Sequence, residues 1–269
     1  MATYAALTAT ALFTSGPLLW MAITSLKIES EIVTRHFQYF PSKPDFSNYT
    51  RMWTQSGYPT LLWNSFAVTL LALAICTVLG SLAAYALSRF AFPGRIILLN
   101  TIIRTRMFPV VLMLAPLFMV LRSIGLVDTK LGLALAYSAV LLPSFIWILK
   151  AFIDRVPREL DEAAVLDGAS TIATMIRVII PLAVPGLAAA GLFTAAGAWN
   201  EFLFALMFTT SQGSRTWPVG LQLMVGDFQL PWGMIAAGGV LSTLPVLVIF
   251  IVGRRLLARV LAVDRGSDL

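Results

Sequence analysis

Charged residues are scarce in this chain. They make up 12% of its 269 residues, while 58% are hydrophobic and the mean hydropathy is +0.85. Soluble domains carry about 25% charged residues. The composition therefore excludes an ordinary soluble domain and predicts an all-α polytopic membrane protein. In such a protein the distribution of positive charge over the loops sets their orientation in the membrane. The net charge of +6 therefore does not indicate binding to nucleic acid, and no nucleic acid is expected as a partner.

Cysteine and histidine each occur once. Cys76 lies in an apolar run, which excludes a disulfide framework and a cysteine-based metal site. His36 lies in a polar loop without a second histidine or cysteine nearby, so a solvated side chain is favoured over a metal ligand. The sequence also lacks a G-x-x-x-x-G-K-[ST] loop for phosphates. We therefore expect a non-catalytic chain that itself binds neither a metal nor a cofactor.

Long apolar segments dominate what is present. Each is long enough to cross a membrane core, which needs about 20 helical residues. They are residues 3–26, 61–88, 96–121, 131–152, 182–207 and 232–254. The start of the chain has no basic n-region or small-residue cleavage site, which indicates a retained first span rather than a signal peptide. We expect one transmembrane domain over 1–269, with six transmembrane helices and both termini on the same side.

The basic residues predict which side that is. They are concentrated in the short Arg89–Arg95 loop and directly after the last segment, at Arg254 and Arg255. Short loops rich in lysine and arginine remain cytoplasmic. Both termini, and the polar residues 155–181, are therefore expected on the cytoplasmic side.

Residues 155–181, RVPRELDEAAVLDGASTIATMIRVIIP, form the longest polar-rich interruption between two of these segments. The pattern predicts two short helices around a glycine. Pro157 suits the first turn of the first helix, and Gly168 suits a left-handed cap at its end. Ser170 is placed to cap the second helix. Ala163 and Ala164 are expected to form a low-profile outer surface that fits a socket in another protein.

The second of these helices has an apolar repeat at i, i+3, i+4 and i+7. The repeat consists of Ile172, Met175, Ile176 and Ile179. This spacing predicts a single apolar helix face that ends at Pro181.

Several motifs in this chain resemble those of a known family. Glu162-Ala163-Ala164, then Asp167-Gly168-Ala169, and Pro181 thirteen residues after the glycine are similar to the EAA loop of ABC importer permeases. We call residues 155–181 the EAA loop. Met107-Phe108-Pro109, the run from Pro181 to Leu187, and the run from Gly197 to Phe202 resemble the carbohydrate-uptake branch, in particular its maltose-type second permease subunit. The resemblance covers nearly the whole chain.

The resemblance implies a type I ABC importer permease in the bacterial cytoplasmic (inner) membrane. Its partners would be a homologous second permease subunit, an ABC ATPase dimer, an extracytoplasmic sugar-binding protein and the lipid bilayer. ATP and Mg²⁺ would be used by the ATPase. The implied coupling residues are Glu162, Ala163, Ala164, Asp167, Gly168 and Ala169. The alternative is an amphipathic surface loop that merely connects two spans.

Polar and charged residues inside the apolar segments, together with the residues next to them, are candidates for the substrate path. Polar and charged residues in a span face protein or water rather than lipid. The candidates are Asn64, Arg104, Arg106, Met107, Phe108, Trp199, Asn200 and Glu201. The two arginines lie about 14–16 Å along the third segment at 1.5 Å per residue. Pro109 and Pro116 are expected to break that helix and free backbone groups.

Two hypotheses remain open for each part of this path. Trp199, Asn200 and Glu201 contact the sugar, or they anchor the helix and form an interhelical hydrogen bond. Arg104 and Arg106 pair with Glu201 or with a carboxylate of the partner permease, with Arg104 alternatively extending towards the cytoplasmic side. In the other hypothesis, one of them attracts an acidic sugar.

The predicted function is that of a transmembrane permease subunit in an ATP-driven sugar importer. The alternative is a secondary, ion-coupled transporter, which should show internal repeats with paired broken helices. No such duplication is visible. The tail from Leu256 to Leu269 departs from the glycine-rich ending of the maltose subunit, so the role of this tail stays open. The sequence also does not identify the sugar.

Overall fold

The computed structural model describes residues 2–34, 38–55, 57–225 and 230–265. The expectation for His36 lies outside the described residues. Within these ranges the regular structure is helical and contains no strand, in agreement with the predicted all-α class.

The helices follow one another with short connections. In chain order they are α1 (Ala2–Ser25), α2 (Glu29–Ile32), α3 (Ser47–Gln55), α4 (Tyr58–Arg89), α5 (Arg95–Thr105), α6 (Leu114–Ser123), α7 (Lys130–Ile153), α8 (Glu159–Leu166), α9 (Thr171–Thr174), α10 (Ile180–Leu182), α11 (Val184–Trp199), α12 (Leu203–Phe208), α13 (Trp217–Gln222) and α14 (Trp232–Arg265). A 3-10 turn, Val110–Met113, precedes α6, and a π-helical turn, Met175–Ile179, joins α9 to α10.

Three helices are long and apolar enough to cross a membrane: Thr3–Ser25, Tyr58–Arg89 and Lys130–Ile153. They occupy the first, second and fourth segments expected from the sequence. Two further candidates are bent pairs, so the number becomes five if each pair is one span. The described part of the last segment contains a shorter apolar stretch, Trp232–Val248.

The third expected segment is broken into two helices, as Pro109 predicts. Arg95–Thr105 and Val110–Ser123 meet at an angle of 104°. Pro109 is extended, with φ −60° and ψ 120°, and has no N–H to continue the helix, so the expected break at this proline is confirmed. Pro116 does not break the chain. It lies in the first turn of α6, where its amide would have no intrahelical partner.

The fifth expected segment, 182–207, is also interrupted. α11 ends at Trp199, and helix resumes at Leu203 in α12. On its other side, Thr171–Leu182 meets α11 at 83°. The apolar run in the sequence hid the interruption after Trp199, because hydrophobicity alone does not show where a helix ends. The bend before α11 lies close to Pro181, where the sequence predicts an end.

The centre of the fold is the packing of α4, α7 and α11 on one another. Close approach depends on small residues, as is usual between helices in membranes. Phe145 of α7 is fully buried and packs against Gly80 of α4. Gly186 and Gly197 of α11 lie directly against Phe152 and Leu141 of α7. α1 instead packs on α14 and exposes a largely apolar surface.

We expect Gly80→Ala to destabilise the protein. A Cβ at residue 80 would lie 2.4 Å from Cδ1 of Phe145, and overpacking of this kind costs about 1–3 kcal/mol. Thermal unfolding in detergent should show a lower melting temperature.

Gly16→Ala is the matched control, because a Cβ at residue 16 meets nothing within 4 Å. Its melting temperature should stay the same or rise slightly, since alanine favours helix over glycine by about 0.5–1 kcal/mol. Equal melting temperatures for the two variants would contradict the proposed packing.

Candidate functional site

The EAA loop has the helix–glycine–helix form that its sequence predicts. Gly168 has φ +81°, and the amide of Ala169 donates to the carbonyl oxygen of Ala164 at 2.9 Å. A Cβ at Gly168 would meet nothing within 4 Å, so glycine is required by the left-handed backbone and not by lack of space. Ser170 Oγ accepts from the amide of Ala173 at 3.3 Å, which confirms the predicted cap.

Two details of the first helix differ from the expectation. α8 begins at Glu159 with Arg158 at its N-cap, so Pro157 lies before the first turn. Ala164 does not contribute to the outer surface, because it is buried on the side of α8 that faces the bundle. Ala163 is exposed as expected.

The apolar face of the second helix is divided. Met175 and Ile179 are buried, whereas Ile172 and Ile176 are 61% and 56% exposed. The π-helical turn Met175–Ile179 supplies the physical reason, because it departs from the 3.6-residue period on which the predicted face depends.

A partly buried ion pair fastens the EAA loop to α4. Arg89 Nε lies 2.9 Å from Asp161 Oδ2, and the two side chains are 7% and 17% exposed. The hydroxyl of Tyr85 donates to Asp161 Oδ1 at 2.9 Å. Arg89 also donates to the carbonyl oxygen of Val156 at 2.8 Å, and Arg158 donates to that of Ser88 at 3.2 Å. The loop is therefore held to the C-terminal end of α4 by charged and neutral bonds.

Asp154, directly after α7, adds a second attachment. Its carboxylate accepts from Ser88 Oγ at 2.6 Å and pairs with Lys150 at 2.6 Å. Partial burial opposes ionisation of Asp154, but the hydrogen bonds from Lys150 and Ser88 outweigh it and lower the pKa of this carboxyl. Asp154 thus stays charged at neutral pH and ties α4 to α7.

The outward side of the EAA loop is partly apolar and exposed. Leu166 is 89% exposed, and Val165 is 59% exposed. Glu162, Asp167 and Gly168 are exposed beside them, and Ala169 is half-buried. An open hollow of about 520 Å³ lies between this loop and the end of α4. This surface is what the chain offers to a partner at this end of the bundle.

Asp128 organises the opposite end of the bundle. Its carboxylate accepts from the amides of Thr210 and Ser211 at 2.8 and 3.0 Å and from the hydroxyl of Ser214. Its own amide donates to the carbonyl oxygen of Phe208 at 2.9 Å. Partial burial opposes ionisation, but the hydrogen bonds outweigh it and hold the pKa of Asp128 far below its usual range.

Asn64, a candidate for the substrate path, is part of the same structure. It is fully buried, and its amide nitrogen donates to the carbonyl oxygens of Gln212 and Arg215 at 3.0 and 2.9 Å. The neighbouring Ser65 Oγ accepts from the amide of Trp217 at 2.8 Å. Asn64 therefore supports the backbone of residues 209–217 from α4.

Trp199, Asn200 and Glu201 have different environments. Trp199 is buried, 3% exposed, and its indole N–H donates to the carbonyl oxygen of Ser242 at 3.2 Å. The hypothesis of an interhelical hydrogen bond is correct for Trp199, and an exposed sugar-stacking face is not present. Asn200 is exposed. Glu201 accepts from the amides of Phe204 and Ala205 at 3.0 and 3.2 Å, so it caps α12.

The expected pair between Glu201 and an arginine is therefore wrong, because the first amides of α12 occupy its carboxylate. Arg104 and Arg106 are exposed at the end of α5, and neither belongs to an ion pair in the part of the chain that the structure describes. The guanidinium of Arg106 lies 5.4 Å from the ring centroid of Phe193 in α11. Met107 and Phe108 are exposed at the break.

Sequence reasoning missed the main attachments at both ends. The sequence assigns Arg89 only to the charge of a loop and gives Asp161 no separate role. Nothing local in the sequence signals their pairing. For Asp128 a weak signal exists, because Asp128-Thr129 precedes an apolar run, and Thr129 does cap α7.

These features define a multi-pass helical membrane protein with an EAA loop that is anchored on one side and exposed to solvent on the other. The chain belongs to the family described as binding-protein-dependent transport system inner membrane component, whose model matches residues 76–262. This membership supports a permease of the ABC class and not a secondary transporter.

Individual proteins agree with the family. The sulfoquinovosyl glycerol transport system permease protein SmoH of Agrobacterium fabrum is 37% identical over 236 residues, covering 88% of this chain and 83% of that protein. The trehalose/maltose transport system permease protein MalG of Thermococcus litoralis is 35% identical over 235 residues, covering 86% and 84%. The fold matches a chain of a bacterial ABC transporter involved in import of the acidic polysaccharide alginate, with a TM-score of 0.83, 22% identity and 94% of each chain covered.

We expect Asp161→Asn to loosen the EAA loop. The substitution leaves Arg89 charged and poorly paired, and removing one member of a buried ion pair costs about 3–5 kcal/mol, with less expected here because Asp161 is partly exposed. Trypsin should cleave the detergent-purified variant faster after Arg155, Arg158 or Arg177 than it cleaves the wild type.

Asp167→Asn is the control, since Asp167 is exposed and lies at the end of the same helix. Its cleavage rate should equal that of the wild type. An Asp161→Asn variant that resists trypsin as well as the wild type does would show that the ion pair does not hold the loop.

We expect Asp128→Asn to destabilise the protein in a pH-dependent way. A carboxyl whose pKa is lowered by folding adds stability above its unfolded pKa of about 4, and this stability is lost as the pH falls towards the folded pKa. The melting temperature of the variant should lie below that of the wild type by a constant amount from pH 8 to pH 5. The difference should shrink below about pH 4. A difference that widens in acid would refute the role of the ionised carboxylate.

Proposed function

We propose that this chain is one of the two transmembrane permease subunits of an ATP-driven sugar importer in the bacterial cytoplasmic (inner) membrane. Its partners are a homologous second permease, an ABC ATPase dimer and an extracytoplasmic sugar-binding protein. The proposal for a sugar is supported by the named relatives, which transport sulfoquinovosyl glycerol and trehalose or maltose. ATP and Mg²⁺ belong to the ATPase.

The proposed membrane arrangement is that of a type I importer with six spans and both termini in the cytoplasm. α1, α4 and α7 supply three spans, and the bent pairs with α14 supply the others. The positive charges near Arg89–Arg95 support a cytoplasmic EAA loop. The end organised by Asp128 then faces outward, towards the binding protein.

The observation that carries the proposal is the combination of a fastened inner side and an uncovered outer side in the EAA loop. Asp161 is bonded to Arg89 and Tyr85 of α4, whereas Leu166 and Ile172 on the same loop are largely exposed. Exposed apolar side chains next to polar ones are typical of a surface that binds a partner protein. The proposed partner is the ATPase, and the coupling residues are Glu162, Ala163, Asp167, Gly168 and Ala169, with Ala164 packing the helix inward.

This arrangement explains how work done at the ATPase reaches the membrane. When the ATPase dimer closes, it moves α8, and the Arg89–Asp161 ion pair transfers that movement to α4 rather than letting the loop slide. α4 packs on α7 and α11, and α11 ends at the break after Trp199, so the displacement reaches that break. The transition is a rigid-body switch in which each partner favours the state that it contacts better.

We propose that the substrate path runs along the surface where the helix breaks expose polar and aromatic groups. Arg106, Met107, Phe108 and Asn200 supply exposed side chains there. Asn64, Trp199 and Glu201 support the path indirectly, because they hold the backbone around it. Arg104 lies at the same break, in the last turn of α5.

The first test is purification in mild detergent through a tag on this chain, with identification of the co-purifying proteins. We expect a second permease and an ATPase. Recovery of this chain alone, still able to move solute in liposomes, would refute the proposal in favour of a secondary transporter.

The coupling role is tested by Gly168→Leu. A leucine at φ +81° is strained, so the turn between α8 and α9 should change and the docking surface with it. We expect ATP-driven uptake to fall at least about tenfold, while some of the assembled complex remains in the membrane.

Gly125→Leu is a matched control. Gly125 also has a positive φ, +70°, and open space around its Cβ position, but it lies between α6 and α7 at the other end of the bundle. Its uptake should stay within about twofold of the wild type, because the strain is similar and the docking surface is untouched. An equal loss in both variants would assign the effect to strain and contradict coupling through the EAA loop.

A further inference from the structure

The helix break after α5 lies near the middle of the membrane-spanning bundle. Arg95 Nε donates to the carbonyl oxygen of Leu87 at 2.8 Å, which fixes the start of α5 at the end of the bundle that carries the EAA loop. Arg106 lies eleven residues further along, or about 16 Å at 1.5 Å per residue. A hydrocarbon core is about 30 Å thick, so a helix that crosses it from this end reaches about half its depth at Arg106.

The contact between Arg106 and Phe193 gives the same depth independently. The guanidinium lies 5.4 Å from the ring centroid. Phe193 is nine residues after Val184, where α11 begins next to the EAA loop, which corresponds to about 13–14 Å along the helix. The length along α5 and the length along α11 both place this arginine well inside the span.

A guanidinium at this depth needs a polar environment, because a charge facing lipid is costly. Arg106 is exposed on the surface of this chain, and it has no ion-pair partner among the residues that the structure describes. Glu201, the acidic residue of the other break, is occupied in capping α12. The surface that carries Arg106 therefore faces protein or water rather than lipid.

One face of α11 extends this surface. Phe193 and Asn200 are seven residues apart, so they lie on the same face of the helix at a separation of about 10 Å. Phe193 is 41% exposed, Asn200 is exposed, and the small Ala196 lies between them. An aromatic ring, an amide and a cation along an accessible strip are the groups that bind a sugar ring, its hydroxyls and an acidic substituent.

The cation–π contact with Phe193 also favours one position of Arg106. The guanidinium is planar through its own delocalised bonding, and its fork of N–H groups matches the two oxygens of a carboxylate or sulfonate. We propose that Arg106 binds the acidic group of the cargo, so that the importer carries anionic sugars. This inference rests on the proposed function as a sugar importer.

Arg104 serves as the internal comparison. At 100° per residue it lies about 200° around α5 from Arg106, on a different side of the helix. The structure thus distinguishes two arginines that the sequence treats alike, and the acidic cargo is assigned to Arg106 alone.

The test uses a host strain that lacks this gene and is complemented with tagged wild-type, Arg106→Gln, Arg106→Lys or Arg104→Gln chains. The probes are radiolabelled methyl glucuronide, methyl sulfoquinovoside and the neutral methyl glucoside. We expect the wild type to import at least one acidic probe in preference to the neutral one. Arg106→Gln should reduce that uptake about 10-fold to 100-fold, as loss of a charge-assisted bidentate contact predicts.

The lysine variant should retain an intermediate uptake, because it keeps the charge without the planar fork. Arg104→Gln should stay within about twofold of the wild type. Co-purification of the second permease and the ATPase with each variant separates recognition of cargo from assembly.

Three outcomes would overturn the inference while leaving the importer intact. One is a complex that retains its ATPase but imports no acidic probe, or imports the neutral sugar equally well. Another is an equal loss in Arg104→Gln and Arg106→Gln. The third is loss of the second permease from the Arg106→Gln complex, which would assign this arginine to a carboxylate of that subunit. Absence of the ATPase from the wild-type preparation would instead refute the proposed function itself.

Discussion

A backbone amide in the hydrocarbon core has no water to bond, and most of this structure follows from that constraint. The chain satisfies its peptide groups within helices and leaves helical geometry only where other groups replace the lost bonds. At the second break, the carboxylate of Glu201 accepts from the first amides of α12. At the first break, Pro109 contributes no amide that would need a partner. At both breaks the backbone can therefore leave helical geometry with fewer unpaired amides, and polar side chains lie at these positions within the span.

The long helix α4 connects the two ends of the molecule. It contains 32 residues, Tyr58–Arg89, and bonds at one end to residues 209–217 through Asn64 and Ser65. At the other end it bonds to the EAA loop through Tyr85 and Arg89. A helix fixed at both ends and packed along α7 and α11 moves as a rigid body. In the proposed arrangement, α4 would connect a docking partner on one side of the membrane with a binding protein on the other.

The two functional surfaces differ in how they are built. The EAA loop has a fastened inner side and an exposed, partly apolar outer side, which suits a rigid contact with another protein. The proposed path is formed by side chains that a helix break and one face of α11 present together, including Arg106 over Phe193. The proposed docking surface and the proposed cargo path thus occupy separate parts of the same bundle, and α4 lies between them.

The sequence by itself determined the helical membrane class, the family, and the glycine turn and serine cap of the EAA loop. These depend on composition and on neighbouring residues: the positive φ of Gly168 and the cap at Ser170 need no distant partner. Tertiary structure alone decided that Asp161 pairs with Arg89, that Trp199 is buried, that Ala164 faces inward and that Arg106 meets Phe193. Each of these depends on which side of a helix faces another part of the chain far away in sequence. Hydrophobic periodicity also assumes an unbroken 3.6-residue helix, so it could not show the π-helical turn, which divides the predicted apolar face.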